Sequence, residues 1–201
     1  ANLGVDFSIT ANKLSGTLDI YNKKTTDLLQ SVNIPTSSGF SNILANQGEI
    51  TNKGLEVSLN YNAIENDNFN LSFGANIAMN KTKISNLSAQ PLDDFYIDGV
   101  AEQRRFYFGS NISRGAIFQY PANVFVEGEE TSLFYGFETD GIYQTGDELL
   151  PTFGTGPALP GDVKIIDQNG DGQIDINDRT FIGNPNPDFI YGFNFNIKHK
   201  R

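Results

Sequence analysis

Phe69, Leu71, Phe73, Ala75, Ile77 and Met79 alternate without a break with Asn70, Ser72, Gly74, Asn76, Ala78 and Asn80. Only an extended backbone sends every second side chain to the same face, so this stretch reads as a β-strand with one apolar and one polar side. The same period recurs at Leu3, Val5, Phe7 and Ile9, at Leu14, Leu18 and Ile20, at Leu55, Val57, Leu59 and Tyr61, and at Phe189, Tyr191, Phe193, Phe195 and Ile197. Each run implies a strand of about ten residues, longer than the roughly five or six usual in soluble sheets. With 16 Phe, 8 Tyr and 20 Gly in 201 residues, composition points the same way. The fold class is all-β and antiparallel.

The connections alternate in length: Asn12-Lys13 is short, Asn33–Asn46 long, Ala63–Asp67 short, and Ser85–Pro187 very long. Tight turns at one end and long loops at the other are the pattern of a large transmembrane β-barrel, whose apolar faces meet lipid and whose Asn, Ser, Thr and Gly faces meet a polar lumen. Tyr21, Tyr61 and Tyr191 are expected in the interfacial girdles. The alternative is a secreted, calcium-stabilised β-sandwich that binds carbohydrate, in which the apolar faces pack on each other. Periodicity does not separate the two; strand length and loop asymmetry favour the barrel. No apolar run reaches the roughly 18 residues of a membrane-spanning helix.

The long segment carries Asp167-Gln-Asn-Gly-Asp-Gly-Gln-Ile-Asp-Ile-Asn-Asp178. Asp167, Asn169, Asp171, Asp175 and Asp178 stand at positions 1, 3, 5, 9 and 12 of a calcium-type loop, Gly172 at the sharp turn, and Gln173 where a backbone carbonyl would ligate. Ile174 is expected to point inward as an anchor. Asp178 is one methylene shorter than the usual bidentate Glu, so Mg²⁺ competes with Ca²⁺ as the expected cation. Four carboxylates this close repel one another, and Lys164 and Arg179 are the nearby cations. The flanks, Val163–Ile166 and Arg179–Ile182, are β-branched and aromatic, which makes this an EF-hand-like loop in a β context and a structural staple rather than a sensor. A solvated turn is the plain alternative.

Other chemistry finds little support. Lacking cysteine, the chain has no disulfide, Cys-ligated zinc or thiol nucleophile. A formal net charge of -10 argues against a nucleic-acid partner, despite Arg104-Arg105 beside Phe106-Tyr-Phe108. The sole histidine, His199, lies beyond the last alternating face and reads as a surface or interfacial residue rather than a base. Asp93-Asp94 and Glu129-Glu130 are adjacent pairs, which point apart on extended chain and make poor acid/base couples. The protein is expected not to be an enzyme. Tyr96, Phe106, Tyr107, Phe108 and Tyr120 either stack on a solute or form the long segment's own core.

Several phrases resemble the SusC/RagA-type TonB-dependent transporters of the outer membrane. They are Gly16-Thr-Leu-Asp-Ile-Tyr-Asn-Lys-Lys-Thr-Thr-Asp-Leu-Leu29, Gln47-Gly-Glu-Ile-Thr-Asn-Lys-Gly-Leu-Glu56, Asn76-Ile-Ala-Met-Asn-Lys-Thr-Lys-Ile84 and Phe134-Tyr-Gly-Phe-Glu-Thr-Asp-Gly-Ile-Tyr-Gln-Thr145. The most specific runs from Pro160-Gly-Asp-Val-Lys-Ile-Ile-Asp167 through the acidic loop to Ile182-Gly-Asn-Pro-Asn-Pro-Asp-Phe-Ile-Tyr-Gly192. The chain departs from the family pattern at Glu129-Glu130 and over Ser85–Val126. The resemblance implies a barrel of roughly 22 strands, of which this chain holds about five. It also implies a plug and a TonB box outside this chain, the TonB complex as energy source, a SusD-like lipoprotein lid, and an oligosaccharide or peptide solute. On this reading residues 1–84 are barrel strands with short periplasmic turns, 85–187 a long extracellular region, and 188–201 a further strand in outer-membrane lipid.

Overall fold

The computed structural model describes residues 1–10, 13–88, 90–109 and 121–199. Asn12 and Tyr120 therefore lie outside the described residues. The chain is all-β and falls into two compact units, one of residues 1–26, 49–83 and 186–201, the other of 27–48 and 84–185. Helical residues among those described are confined to two 3₁₀ turns, Thr36–Ser38 and Ile176–Asp178.

The first unit holds β1 (Asn2–Ile9) and the larger parts of β2 (Leu14–Asn33), β3 (Asn42–Glu65) and β4 (Phe69–Leu87), whose residues 27–33, 42–48 and 84–87 belong to the second; with the last strand, Ile190–His199, these make a sheet of five in the order β1, β2, β3, β4 and that strand. β2, β3 and β4 have 20, 24 and 19 residues, about twice the length expected from the alternation. Their outer portions lack the strict two-residue period because no single apolar face runs through them. Registers obey the parity: Leu3 faces Ile20 and Val5 faces Leu18, while Phe195 faces Phe73 and Phe193 faces Ala75. At the short turn after β3, the Asn66 carboxamide oxygen accepts the N–H groups of Asn68 and Phe69 at 3.1 and 2.8 Å.

The apolar face of this sheet is bare. Leu3, Ile20, Tyr191, Phe193, Phe195 and Ile197 are all exposed, so the faces do not pack on each other and the sandwich alternative loses its premise. The polar face is knitted by side chains. Thr17 Oγ1 lies 2.8 Å from Ser58 Oγ, and the Thr82 hydroxyl donates to Asn52 Oδ1 at 2.5 Å. Tyr21 belongs to this face, which corrects its assignment to an interfacial girdle: it shares parity with Ser15, Thr17 and Asp19, and its hydroxyl donates to Asn80 Oδ1 at 3.4 Å. Its ring covers Gly54, where a Cβ would meet Tyr21 ring atoms at 2.2 Å. Tyr61 and Tyr191, on the apolar face, are exposed.

Among the described residues, the buried hydrophobic side chains fall in the second unit. β5 (Leu92–Ile97), β6 (Val100–Phe108), β7 (Asn123–Val126), β8 (Leu133–Phe137) and β11 (Arg179–Gly183) form a sheet in the order β11, β8, β7, β6, β5; β9 (Thr139–Ile142) and β10 (Val163–Ile165) form a two-stranded ribbon; the strand Ile190–His199 is β12. Phe95, Val124, Val126, Leu133 and Tyr135 are buried together, with Ile97, Phe106 and Phe181 packed against them. Phe95 is the hub, its ring 4.7 Å from Tyr135, 4.8 Å from Phe106 and 5.7 Å from Phe181. β5 and β6 are joined by Asp98-Gly99, both at positive φ (50° and 76°), the two-residue turn whose twist matches that of the strands.

Candidate functional site

The acidic loop lies between β10 and β11, as its β-type flanks require. Ile174 is its anchor: 1% exposed, its N–H donates to the Pro151 carbonyl and its carbonyl accepts from Phe153, each at 2.8 Å. Gly170 and Gly172 take positive φ (69° and 80°) and let the chain double back. Asp167 then receives the backbone: Oδ1 accepts from Gly170 at 2.7 Å and Asp171 at 3.3 Å, and Oδ2 accepts from Gly172 at 2.8 Å. Asn169 Oδ1 accepts from Asp171 N–H at 3.0 Å, and Asp171 Oδ1 from Gln173 N–H at 2.8 Å.

Asp175 and Asp178 close the loop through a reciprocal capping box on the turn 176–178. Asp178 is 0% exposed, Oδ1 accepting from Gln168 N–H at 3.0 Å and Oδ2 from Asp175 N–H at 2.7 Å. Burial pushes its carboxyl above the ordinary value, opposed by those N–H groups and reinforced by the charge of Asp167. A carboxylate has about four acceptor sites, so the cap does not exhaust it.

The donors are hard oxygens, the kind calcium and magnesium take, and the chain path has the glycine turn and apolar anchor such a loop needs. The acids have not converged, however: among the described residues no three His, Asp or Glu side chains gather as around an ion. The nearby cations are directed elsewhere. Lys164 Nζ sits 3.6 Å from Asp140, and the buried Arg179 donates to the carbonyls of Pro121 and Tyr135 at 2.9 and 3.1 Å while lying 4.5 Å from the Tyr135 ring centroid.

The tip of the β5–β6 hairpin rests on this loop. Asp98 Oδ1 accepts the Thr180 hydroxyl at 2.6 Å, and a Cβ on Gly99 would stand 2.1 Å from the Gln168 carbonyl oxygen. Sequence reading passed over Asp98, Gly99 and Thr180, although Asp-Gly between two strand patterns is a strong hairpin signal.

The remaining candidates make contacts within the protein. Phe106 joins the core around Phe95, Phe108 packs on Phe106 at 5.4 Å, and Tyr107 stacks on Phe125 at 4.6 Å and 9°. Tyr96 supplies the carbonyl that accepts the Tyr135 hydroxyl at 2.8 Å. Arg104 pairs with Glu102 and Glu129 at 2.7 and 3.0 Å, and Arg105 with Glu127 at 3.5 Å, so the basic pair is matched by acids. Asp94 bonds Gln103, Glu130 bonds Asn184, and the His199 ring lies tilted 6.5 Å from Phe69.

Long antiparallel strands, bare and apolar on one face and polar on the other, define the wall of a transmembrane β-barrel. Residues 1–109 match the family described as TonB dependent receptor-like, beta-barrel. TonB-dependent receptor P3 of Formosa agariphila is 36% identical over 201 residues, covering 99% of this chain, and TonB-dependent receptor SusC of Bacteroides thetaiotaomicron is 28% identical over 200 residues. The RagAB peptide importer in its 'open-open' state superposes with a TM-score of 0.68 at 24% identity, covering 99% of this chain and 18% of that one. The chain belongs to the TonB-dependent receptor β-barrel family and is an outer-membrane protein. It spans 18% of the length of receptor P3 and of SusC, about a fifth.

Proposed function

We propose that the chain is part of a TonB-dependent transporter that imports oligosaccharides or peptides across the outer membrane, with a SusD-like surface lipoprotein as partner and the TonB complex as energy source. The observation that carries this reading is the bare apolar face of the first sheet opposite a hydrogen-bonded polar face, a distribution suited to lipid on one side and an aqueous lumen on the other. The kinship with SusC and the likeness to a peptide importer support transport and the two solute classes. Binding, enclosure and release of a solute require no catalytic group. Residues 1–84 and 188–201 act as barrel wall with periplasmic turns, and 85–187 as the extracellular region.

Deleting the gene from its host should abolish growth on one oligosaccharide or peptide mixture as sole carbon source, and the same loss should follow depletion of TonB. Unchanged growth and uptake on every such substrate would sink the transport reading.

The second part of the reading is a structural Ca²⁺, or Mg²⁺ in its place, held by Asp167, Asn169, Asp171, Gln173, Asp175 and Asp178. Residue types and glycine turns support it, and binding requires Asp167 and Asp171 to swing from their backbone partners towards a common point. Asp167→Ala with Asp171→Ala should speed proteolysis within the long segment and weaken lipoprotein docking while the strands stay protected. Metal analysis of the intact transporter returning no divalent ion would count decisively against it.

A further inference from the structure

A row of lysines bounds the apolar face of the first sheet on the side of the long segment. Along β4 the outward residues from Phe69 to Met79 cover about 33 Å of strand, or about 25 Å of membrane at a tilt of about 40°, the height of an apolar band. The next outward residue is Lys81, followed by Lys83; on β3, Lys53 follows Leu55 in the same direction. All three are exposed, and among the described residues none of them forms an ion pair or a side-chain hydrogen bond. Lys24, on the same face of β2, is already matched by Glu49 at 2.7 Å.

A hollow of about 690 Å³ runs from these lysines onto the apolar face, lined by Leu3, Ile20, Leu55, Met79, Lys53 and Lys81. The Thr82 hydroxyl reaches Asn52, and the Tyr21 ring covers Gly54 while its hydroxyl bonds Asn80, so Lys53 and Lys81 are neighbours on adjacent strands. Like charges so placed repel one another. A lone lysine at a membrane boundary extends its head to water and needs no ligand. These two instead line one apolar hollow, on the face of the wall that meets lipid.

We propose that this hollow holds a phosphate-bearing lipid, its acyl chain on Leu3, Ile20, Leu55 and Met79 and its phosphate on Lys53 and Lys81, with Lys83 adding charge from the next outward position. Ammonium groups donate to phosphate oxygens, and basic clusters beside a membrane-spanning wall take up anionic headgroups. Glu49, the acid on the outward face of β3 beyond Lys53, is engaged by Lys24 and leaves the pair its charge. The outer-leaflet position of the headgroup rests on the reading of residues 85–187 as extracellular; the phosphate site itself rests only on the wall.

Native mass spectrometry of the full-length protein in detergent, titrated with dimyristoyl phosphatidic acid, tests the site. Two further probes separate its halves: the phosphocholine lipid with the same tails, whose choline offsets the phosphate, and inorganic phosphate, which has no tails. Phosphatidic acid should bind about tenfold more tightly than either. Lys53→Gln with Lys81→Gln should weaken it about thirtyfold, each lysine beside an anionic headgroup contributing about fivefold. Both lysines are exposed, so their replacement leaves packing intact. Lys198→Gln, at the opposite end of the wall on β12, should leave the affinity unchanged. No binding of phosphatidic acid, equal binding of the phosphocholine lipid, unchanged affinity in the double lysine variant, or an equal loss in Lys198→Gln would overturn the proposal. Inorganic phosphate binding as tightly as phosphatidic acid would overturn the assignment to a lipid. Uptake is not measured, so failure of transport leaves the site standing and failure of binding leaves transport untouched.

Discussion

Phe193 and Leu159 are about equally exposed, at 68% and 64%, yet they belong to opposite regimes. Phe193 is one of a row of bare aromatics on β12 in a sheet whose outer solvent is lipid, so its exposure is favourable. Leu159 is one of several exposed apolar side chains, Ile142 and Val163 among them, in a segment that also buries a core of its own around Phe95. In the first unit the side chains turn outward, and order comes from backbone ladders and close fits such as Tyr21 over Gly54. In the second, order comes from inward packing of rings and branched chains. One chain therefore carries two solutions to burying apolar surface, and exposure has meaning only once the solvent is known.

The sharpest way to separate the regimes is Phe95→Ala. Truncating a buried phenylalanine costs about 3–5 kcal/mol, enough to open the second unit while leaving the first folded in the membrane. Hydrogen exchange on the full-length protein should show protection lost across β5–β8 and retained in the first unit's portions of β1–β4; loss in both would break the distinction. Next in size is the pair Phe193→Arg and Leu159→Arg. An arginine facing mid-bilayer lipid costs about 2–4 kcal/mol, whereas a change at an exposed site in water stays within about 0.5 kcal/mol. Denaturant unfolding from vesicles should reveal that gap, and equal effects would refute lipid exposure of β12.

Gly54→Ala tests the fit that stands in for a core. The added Cβ meets the Tyr21 ring, and displacing it should cost about 1–3 kcal/mol by the ordinary penalty of overpacking. The double variant with Tyr21→Ala should recover most of that loss in the same assay. The smallest effect concerns Tyr135, whose hydroxyl burial pushes up to about 12 against the lowering influence of Arg179. Because the folded value exceeds the unfolded one, the contribution to stability is complete below about 10 and is lost as pH rises through about 12. Ultraviolet titration of the protein against Tyr135→Phe should isolate one late-ionising phenol.

Legibility followed the same divide. The first unit was readable because a one-sided sheet writes its parity into the sequence: all five strands and their apolar faces stand in the alternation. Tyr21 was misplaced because its aromatic type outweighed its parity with Thr17 and Asp19. Strand ends were too short because hydrogen bonding continues where the apolar pattern stops. Residues 85–187 showed no period because their strands are short: β7 and β8, of four and five residues, leave little for a window to detect. The acidic loop was legible as a chain path, with Ile174 inward and Gly172 at the turn. Its partners were not, since Gly99 and Thr180 reach it from distant positions.

The seating of Gly99 on the Gln168–Asn169 backbone bears on how this surface can change in length. With the tip fixed by Asp98 and Thr180, a single inserted residue in β5 or β6 would flip every side chain beyond it and carry Phe95 or Phe106 off the core. Growth or shortening of the hairpin must therefore come in matched pairs or be absorbed by a bulge, and the same holds where Pro151 and Phe153 of the ribbon's connection clasp Ile174.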